Sequence, residues 1–155
     1  MKPRQLTRPA ATGKFVAPLG VQVAIADCQR RDAVPIERLR RLARRALRRL
    51  RMHGRGVITI SFIESRAMQR LNWRFLRHRG LTDVLSFRYE HGPILGEILI
   101  APAFARAYAR DHDGSYQDEL ARYLVHGLLH WTGVDDRTPA ERRRMRAMED
   151  RLLRG

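Results

Sequence analysis

The spacing of apolar residues along the chain alternates between a strand-like and a helix-like pattern. Residues 21–27 contain β-branched and other small apolar side chains and predict a strand, and residues 57–64 predict a second one. Between them, apolar side chains recur every three to four positions after Pro35, which is typical of an amphipathic helix that begins with proline. The apolar positions of this helix are Ile36, Leu39, Ala43, Leu47 and Leu50.

The second half of the chain continues this alternation of strands and helices. Each predicted helix starts at a proline or at a side chain that can cap its N-terminus, such as Ser65 or Ser115. In chain order, the predicted elements are a helix after Ser65, strands at 82–90 and 94–101, and helices at 102–113, 116–131 and 139–153. This order predicts an α+β fold in which about five helices cover a small mixed four-stranded sheet.

The chain has 155 residues, a length that suits one domain with one hydrophobic core. Residues 1–17 are basic and lack apolar periodicity, so we predict a flexible basic arm followed by a single domain at 18–155. No apolar run approaches the roughly 18 residues that suggest a membrane span, and no secretory signal follows the N-terminal charges. With one cysteine, Cys28, a disulfide framework is impossible, and we predict a cytoplasmic protein with no membrane partner.

Basic residues outnumber acidic residues by 31 to 16, which gives a formal net charge of +15. A charge of this size attracts polyanions, and nucleic acid is the first candidate partner. Arginines occupy the polar face of the helix after Pro35, so this face is either an RNA-binding surface or a solvated helix face. The candidate RNA contacts on this helix are Arg41, Arg44, Arg45 and Arg48.

Two histidines, His126 and His130, lie four residues apart in the segment 123–141. Because their helix is apolar on almost every side, the helix is expected to be largely buried, and two imidazoles on one face of a buried helix need partners. Gly133 allows the chain to turn back, and Asp136 then falls where it could supply a third ligand. Two histidines and one carboxylate form a known zinc set, which also suits iron. The alternative is a pair of structural core histidines, with Asp136 capping the final helix.

The pattern H-x-x-x-H-x-x-G-x-x-D resembles the metal-binding half of the metzincin protease signature. In that signature a general-base glutamate stands where this chain has Gly127, so peptide hydrolysis would lack its usual proton shuttle. Phosphodiester cleavage depends more on charge stabilisation by metal and arginine. Together with the net charge of +15, this favours RNA over protein as the substrate, with a metallopeptidase-like hydrolase as the alternative.

Three segments of the chain occur together in the order and spacing of one known family. HGLLHWTGVDD (126–136) resembles the H-G-x-L-H-x-x-G-Y-D-H motif of the YbeY family. LNWRFLRHRGLTDVLSF (71–87) resembles the second hallmark of that family, and LGEILIA (95–101) resembles its L-G-D-I-x-I strand. The resemblance extends over residues 20–153 and leaves only the basic arm outside.

The resemblance to the YbeY family implies a bacterial, cytoplasmic enzyme that holds one zinc ion per chain. The zinc ligands of the family fall on His126, His130 and Asp136. The resemblance also implies a single-strand-specific endoribonuclease that acts in rRNA maturation, especially at the 3′ end of 16S rRNA, and in ribosome quality control. Precursor rRNA and the ribosome or its proteins are then the expected partners.

Two positions depart from the family pattern. Asp136 stands in place of the third histidine, and Leu76 stands in place of an arginine. Arg77, beside Leu76, is a candidate for the same phosphate contact, although it could equally be a solvated surface arginine, and Arg79 is a further candidate RNA contact. These departures leave open a third hypothesis, in which the histidines are structural and the protein binds RNA or the ribosome without catalysis.

Overall fold

The computed structural model describes residues 20–78, 80 and 82–154, together with the backbone of residues 4 and 5. Its strands are β1 (Arg4–Gln5), β2 (Val21–Asp27), β3 (Gly56–Phe62), β4 (Val84–Arg88) and β5 (Ile94–Ile100). Its helices are α1 (Ile36–Arg49), α2 (Ser65–Leu76), α3 (Pro102–Asp111), α4 (Tyr116–Trp131) and α5 (Pro139–Leu153). Among the described residues, no helix combines the length and the apolar content needed to cross a membrane.

Four strands form the mixed sheet that the sequence predicts, within an α+β fold with five helices. β3 pairs in parallel with both β2 and β5, and β4 pairs antiparallel with β5. The two-residue β1 adds a fifth strand at the edge, because it pairs in parallel with β4. β1 falls within the predicted arm, and the other residues before residue 20 lie outside the described part of the chain. The division between an arm and a domain at residue 18 therefore stays a prediction.

α4 lies in the middle of the hydrophobic core, in contact with β4, β5, α1, α3 and α5. Leu124 and Leu128 on this helix are fully buried, as the apolar pattern of its sequence predicts. The helix backbone lies close to the sheet at Gly127, where an added Cβ would lie 2.6 Å from Ile98 Cγ2 and 2.9 Å from Val84 Cγ1. Glycine at this position therefore allows α4 to rest directly on β4 and β5.

The start of α2 differs from the prediction. Ser65 is the first helical residue, and Glu64 is the N-cap, so the predicted N-cap role of Ser65 is wrong. Glu64 adopts the extended backbone conformation of an N-cap, but its side chain does not cap the helix. Instead, the Glu64 carboxylate accepts a 3.3 Å hydrogen bond from the backbone N–H of Arg30. A long-range contact has replaced the local cap that the sequence pattern indicates.

Candidate metal centre

Three side chains converge at the C-terminal end of α4 and the turn that follows it. His126 Nε2 lies 2.9 Å from His130 Nε2, and Asp136 Oδ2 lies 3.8 Å from His126 Nε2 and 3.6 Å from His130 Nε2. Within the described ranges, these three form the one cluster of His, Cys, Asp or Glu that could hold a metal ion. The structure therefore brings together the three residues that the sequence nominates as metal ligands, which we call the metal triad.

The three ligand atoms lie close enough together to share one metal ion. They are 2.9, 3.6 and 3.8 Å apart, separations that an ion with Zn–N and Zn–O distances of about 2.0–2.2 Å would bridge. Two imidazoles and one carboxylate leave a fourth tetrahedral position open, which is the arrangement of catalytic rather than structural zinc sites. The donor set therefore fits a catalytic zinc ion, and its chemistry also allows iron.

The far side of each imidazole ring is held by a hydrogen-bond acceptor. His126 Nδ1 lies 2.7 Å from Glu149 Oε1, and His130 Nδ1 lies 2.9 Å from the backbone oxygen of Val134. We infer from these acceptors that each Nδ1 carries the proton and donates it, which leaves the lone pair on Nε2. Both Nε2 atoms face Asp136, whose Oδ2 lies 3.8 Å from that of His126 and 3.6 Å from that of His130, as coordination of a shared metal ion requires.

His130 is in the protonation state that a metal ligand needs. It is 6% exposed, and burial, reinforced by the neighbouring His126, lowers the pKa of His130 to about 4. The imidazole of His130 is therefore neutral at neutral pH, and it can bind a metal ion without first losing a proton.

Glu149 on α5 is a supporting residue of the site. It is 4% exposed, and its Oε2 accepts a 3.0 Å hydrogen bond from Arg122 Nη1. The same Arg122 nitrogen donates to Asp150 Oδ1 at 2.9 Å. The charge of the buried Glu149 is therefore compensated by a cation on one side and by the His126 N–H on the other, as a buried carboxylate requires.

The sequence carries a signal for Glu149, although the motifs around the histidines do not include it. Glu149 shares the buried stripe of α5 with Met145 and Leu152, which lie four residues before and three residues after it. A carboxylate at an apolar stripe position must find a partner in the core. This partner is His126 because α5 packs against α4.

The turn after α4 returns the chain to the histidines. Gly133 has a φ of 97°, a conformation that favours glycine, and its N–H donates to the carbonyl of His130 at 2.9 Å. The N-cap of α5 is Thr138, whose Oγ1 accepts from the N–H of Glu141 at 3.2 Å, while Glu141 accepts from the N–H of Thr138 at 2.9 Å. Asp136 is therefore not the cap of α5, and its carboxylate faces the histidines.

Two cavities adjoin at the metal triad and share His126 and Asp136. The smaller has a volume of about 210 Å³ and extends to β4. The larger has a volume of about 460 Å³ and extends along α5. The other polar or aromatic residues of the smaller cavity are Thr82, Asp83, Ser86 and His130. Those of the larger cavity are Tyr108, Arg142, Arg143, Arg146 and Glu149.

The arginines predicted on α1 lie along a different part of the surface. Arg41 and Arg45 line a cavity of about 450 Å³ between α1, α4 and the end of α5, which we call the arginine groove. This groove shares no lining residue with the two cavities at the metal triad. Arg44 and Arg48 are exposed on α1 and lie outside the lining of the groove. Contact between these four arginines and RNA stays a prediction.

The end of α2 contributes no side chain to the cavities at the metal triad. Arg77 has a left-handed φ of 55°, and its guanidinium lies 5.8 Å from the centroid of the Trp73 ring. It lines neither cavity, and Arg79 lies outside the described residues, so phosphate contact by both arginines stays a prediction. Leu76 packs against a small hydrophobic cluster that includes Leu85.

Comparison with known proteins assigns the chain to a family. The family model described as endoribonuclease YbeY matches residues 24–155. The chain belongs to the YbeY family. Endoribonuclease YbeY from Thermobifida fusca is 34% identical over 142 residues, which cover 83% of this chain and 92% of that protein. Endoribonuclease YbeY from Myxococcus xanthus is 35% identical over 140 residues, which cover 86% of this chain and 47% of that protein.

A solved structure shares the fold. The solution structure of TM1509 from Thermotoga maritima matches with a TM-score of 0.57 at 18% identity, over 86% of each chain. At this identity the match concerns the fold alone. The family match confirms the YbeY resemblance drawn from the three sequence motifs.

Proposed function

We propose that this chain is a zinc-dependent endoribonuclease that cleaves single-stranded RNA in rRNA maturation, at the 3′ end of 16S rRNA, and serves ribosome quality control. The observation that carries the proposal is the spacing of the metal triad, His126, His130 and Asp136, around one point. The relatives named endoribonuclease YbeY support the reaction class. The net charge of +15 supports a polyanionic substrate.

The protein's part in the chemistry is to hold the ligands in position. A bound zinc ion would supply Lewis acidity towards a phosphoryl oxygen and lower the pKa of a coordinated water. Glu149 and the carbonyl of Val134 orient the two imidazoles through their Nδ1 atoms, and the turn at Gly133 returns Asp136 to them. Because these contacts exist before substrate arrives, little reorganisation is needed during the reaction.

Arginines on α5 are placed to receive the phosphates of the substrate. Arg142, Arg143 and Arg146 line the larger cavity together with two residues of the metal triad. Guanidinium groups bind phosphate oxygens through paired N–H donors, and they stabilise negative charge that develops during phosphodiester cleavage. The α5 side of the cleft is therefore proposed as the side along which the RNA backbone runs.

The metallopeptidase alternative is weakened by the surroundings of Gly127. This residue occupies the position of the metzincin glutamate, and an added Cβ there would lie 2.6 Å from Ile98 Cγ2, so the helix face is pressed against the sheet. Glu149, the buried carboxylate beside His126, is bonded to that histidine and to Arg122. The role of Glu149 is therefore to orient the ligand His126. RNA is the substrate class that this site supports better.

A non-catalytic RNA-binding or ribosome-binding protein is the second candidate. The replacement of the third family histidine by Asp136, and of the family arginine by Leu76, favours this candidate. In such a protein RNA would still bind through the arginines, because electrostatic attraction to phosphates does not need the metal triad. Binding would then persist after chelation, and no cleavage would be observed.

Cleavage of a labelled single-stranded RNA that carries the 3′ end of 16S rRNA tests the proposal. We expect zinc-loaded protein to cut this RNA, EDTA to abolish cleavage and added zinc to restore it. A duplex of the same sequence should resist cleavage, and reconstitution with iron(II) in parallel identifies the metal that supports activity. RNA binding without cleavage under any of these conditions would overturn the enzyme proposal and support the binding protein.

We further propose that the protein acts in the cytoplasm on precursor rRNA held in ribosomal particles. The large positive charge supports association with such particles, because their surface is rich in phosphate. Sedimentation of a cell extract through a sucrose gradient at moderate salt tests this partner. We expect the protein to migrate with ribosomal subunits, whereas confinement to the ribosome-free fractions would contradict the proposal.

A further inference from the structure

Tyr108 and Trp73 are the two large hydrophobic side chains exposed among the described residues, at 40% and 41%. Their surroundings differ. Tyr108 lines the larger cavity at the metal triad, whereas the Trp73 ring lies beneath the guanidinium of Arg77 and lines neither cavity. An aromatic ring that is exposed beside a candidate metal centre is placed to contact a ligand rather than to fill the core.

The Tyr108 ring is held in a defined orientation by His112, just after the end of α3. The two rings stack with their centroids 3.9 Å apart and their planes 13° from parallel. His112 Nδ1 lies 2.9 Å from the backbone oxygen of Tyr108, and the backbone N–H of His112 donates to the same oxygen at 3.1 Å. The imidazole is therefore tied to the helix end and covers one face of the phenol ring, while the Tyr108 residue as a whole is 40% exposed.

The cavity beside Tyr108 suits a nucleotide. It is an open depression on the protein surface with a volume of about 460 Å³, which leaves room for one nucleotide. Arg142 and Arg143 bring positive charge to this cavity, as does Arg146, which lies 3.9 Å from the carboxylate of Glu149. A flat aromatic ring beside several guanidinium groups matches the base and the phosphate of one nucleotide.

We propose that Tyr108 is a stacking platform for one unpaired base of the RNA substrate, beside the phosphate that is presented to the metal triad. The inference rests on the proposed function. A base that stacks on Tyr108 must leave its own duplex stack, which favours RNA that is already single-stranded. Because every base has a π-face, the platform selects single strands with little dependence on sequence.

Binding of RNA to chelator-treated protein tests the platform without any cleavage. The probe is a short single-stranded RNA with an end label for anisotropy and one 2-aminopurine, whose fluorescence is quenched when it stacks. We expect Tyr108→Phe to bind like wild type and to quench the probe. We expect Tyr108→Leu to bind about tenfold more weakly and to lose the quenching. Trp73→Leu is the matched control and should stay within about twofold of wild type.

Two outcomes would overturn the platform. One is equal single-strand affinity and equal quenching in wild type and Tyr108→Leu. The other is a loss in Tyr108→Phe as large as that in Tyr108→Leu, because the hydroxyl and not the ring would then be the contact. Affinity for a duplex of the same sequence should be unchanged in Tyr108→Leu, and an equal loss there would also contradict selection of single strands.

The test separates this inference from the proposed function. Chelator-sensitive cleavage of RNA together with unchanged binding by Tyr108→Leu would remove the platform and leave the endoribonuclease. Ring-dependent binding without cleavage would remove the endoribonuclease and leave the platform. A thermal melt of each variant confirms that it is folded, and if Tyr108→Leu does not fold, Tyr108→Gln is the second variant, with the same loss of binding and quenching expected.

Discussion

The metal triad and the arginine groove are both candidate functional regions, but their side chains are held in different ways. At the triad, the rings of His126 and His130 are each fixed by an acceptor at Nδ1. In the arginine groove, Arg38 pairs with Asp118 at 2.9 Å, and both side chains are largely exposed, at 46% and 71%. The imidazoles of the triad are therefore held within the protein, whereas the Arg38 ion pair of the groove is exposed to water.

The exposed and the buried interactions also differ in how much free energy they contribute. An exposed ion pair such as that of Arg38 and Asp118 contributes about 0–1 kcal/mol, because water screens both charges. Removing one member of a buried network such as that of Glu149 and Arg122 costs about 3–5 kcal/mol, because a charge is left without compensation. We therefore expect substitutions at the triad and in the network of Glu149 and Arg122 to have large and specific effects. Substitutions of the exposed side chains of the groove should have small and additive ones.

Asp136 gives the largest effect in this comparison. Asp136→Ala removes one of three protein ligands, so zinc affinity should fall by more than about 100-fold. Asp136→His supplies the ligand of the family pattern and should keep or raise the affinity. Competition with a chromophoric chelator measures both. Asp118→Ala in the arginine groove is the control and should bind zinc like wild type, whereas wild-type affinity in Asp136→Ala would show that Asp136 is not a ligand.

Glu149 tests whether orientation of the ligands matters as much as their presence. Glu149→Gln keeps the shape of the side chain but removes the charge that holds His126, so zinc affinity should fall about 10–100-fold. The same chelator competition measures the change. Glu119→Gln, which alters a residue that lines the arginine groove, should have no effect. An unchanged affinity in Glu149→Gln would mean that the position of His126 does not depend on this carboxylate.

Gly127 tests whether the helix that carries the histidines is held tightly against the sheet. Gly127→Ala should lower the free energy of unfolding by about 1–3 kcal/mol, because the added methyl overlaps Ile98 and Val84. Urea denaturation measures the change. Gly114→Ala is the control, since the nearest atom to an added Cβ is 3.8 Å away. Equal stability of Gly127→Ala and wild type would contradict the close approach of α4 to the sheet.

The smallest effects are expected when a single arginine charge is removed in either region. Arg41→Gln in the arginine groove and Arg143→Gln at the cleft should each weaken RNA binding a few-fold and reduce the slope of affinity against salt by about 1. Only Arg143→Gln should also lower kcat, because only Arg143 lies beside the metal triad. Binding as a function of salt concentration measures the affinity and its slope, and steady-state cleavage at saturating RNA measures kcat. A lowered kcat in Arg41→Gln would place the groove within the catalytic site.

The elements of the fold were predictable where the signal is local. α4 begins after its cap Ser115 and ends at Trp131, as predicted, because both the cap and the apolar pattern lie within a few residues of the helix. The predicted cap at Ser65 is wrong because two adjacent polar residues can occupy such a position. Here Glu64 is the N-cap residue, although its carboxylate accepts a hydrogen bond from the backbone N–H of Arg30. The contact of the Glu64 side chain joins residues that are 34 apart in sequence.

At the candidate site, too, the residues that lie close together in sequence were predictable, and those that come from other helices were not. His126, His130 and Asp136 lie in one short motif, so their convergence follows from helical spacing and a glycine turn. Glu149 and Tyr108 come from α5 and α3, and their place at the site depends on how these helices pack against α4. The stripe position of Glu149 marks it as a buried carboxylate, but no local pattern contains that packing, so its partner His126 and the place of Tyr108 emerge only from the folded chain.

The metal content of protein purified without a histidine tag tests the central claim most directly. Wild type and His130→Ala are compared by mass spectrometry, with His53→Ala, a substitution of an exposed histidine, as the matched control. We predict one zinc ion per chain in wild type and His53→Ala and none in His130→Ala, because the metal triad offers only three protein ligands. No metal in wild type, or equal metal in wild type and His130→Ala, would contradict the assignment of the triad as a metal centre.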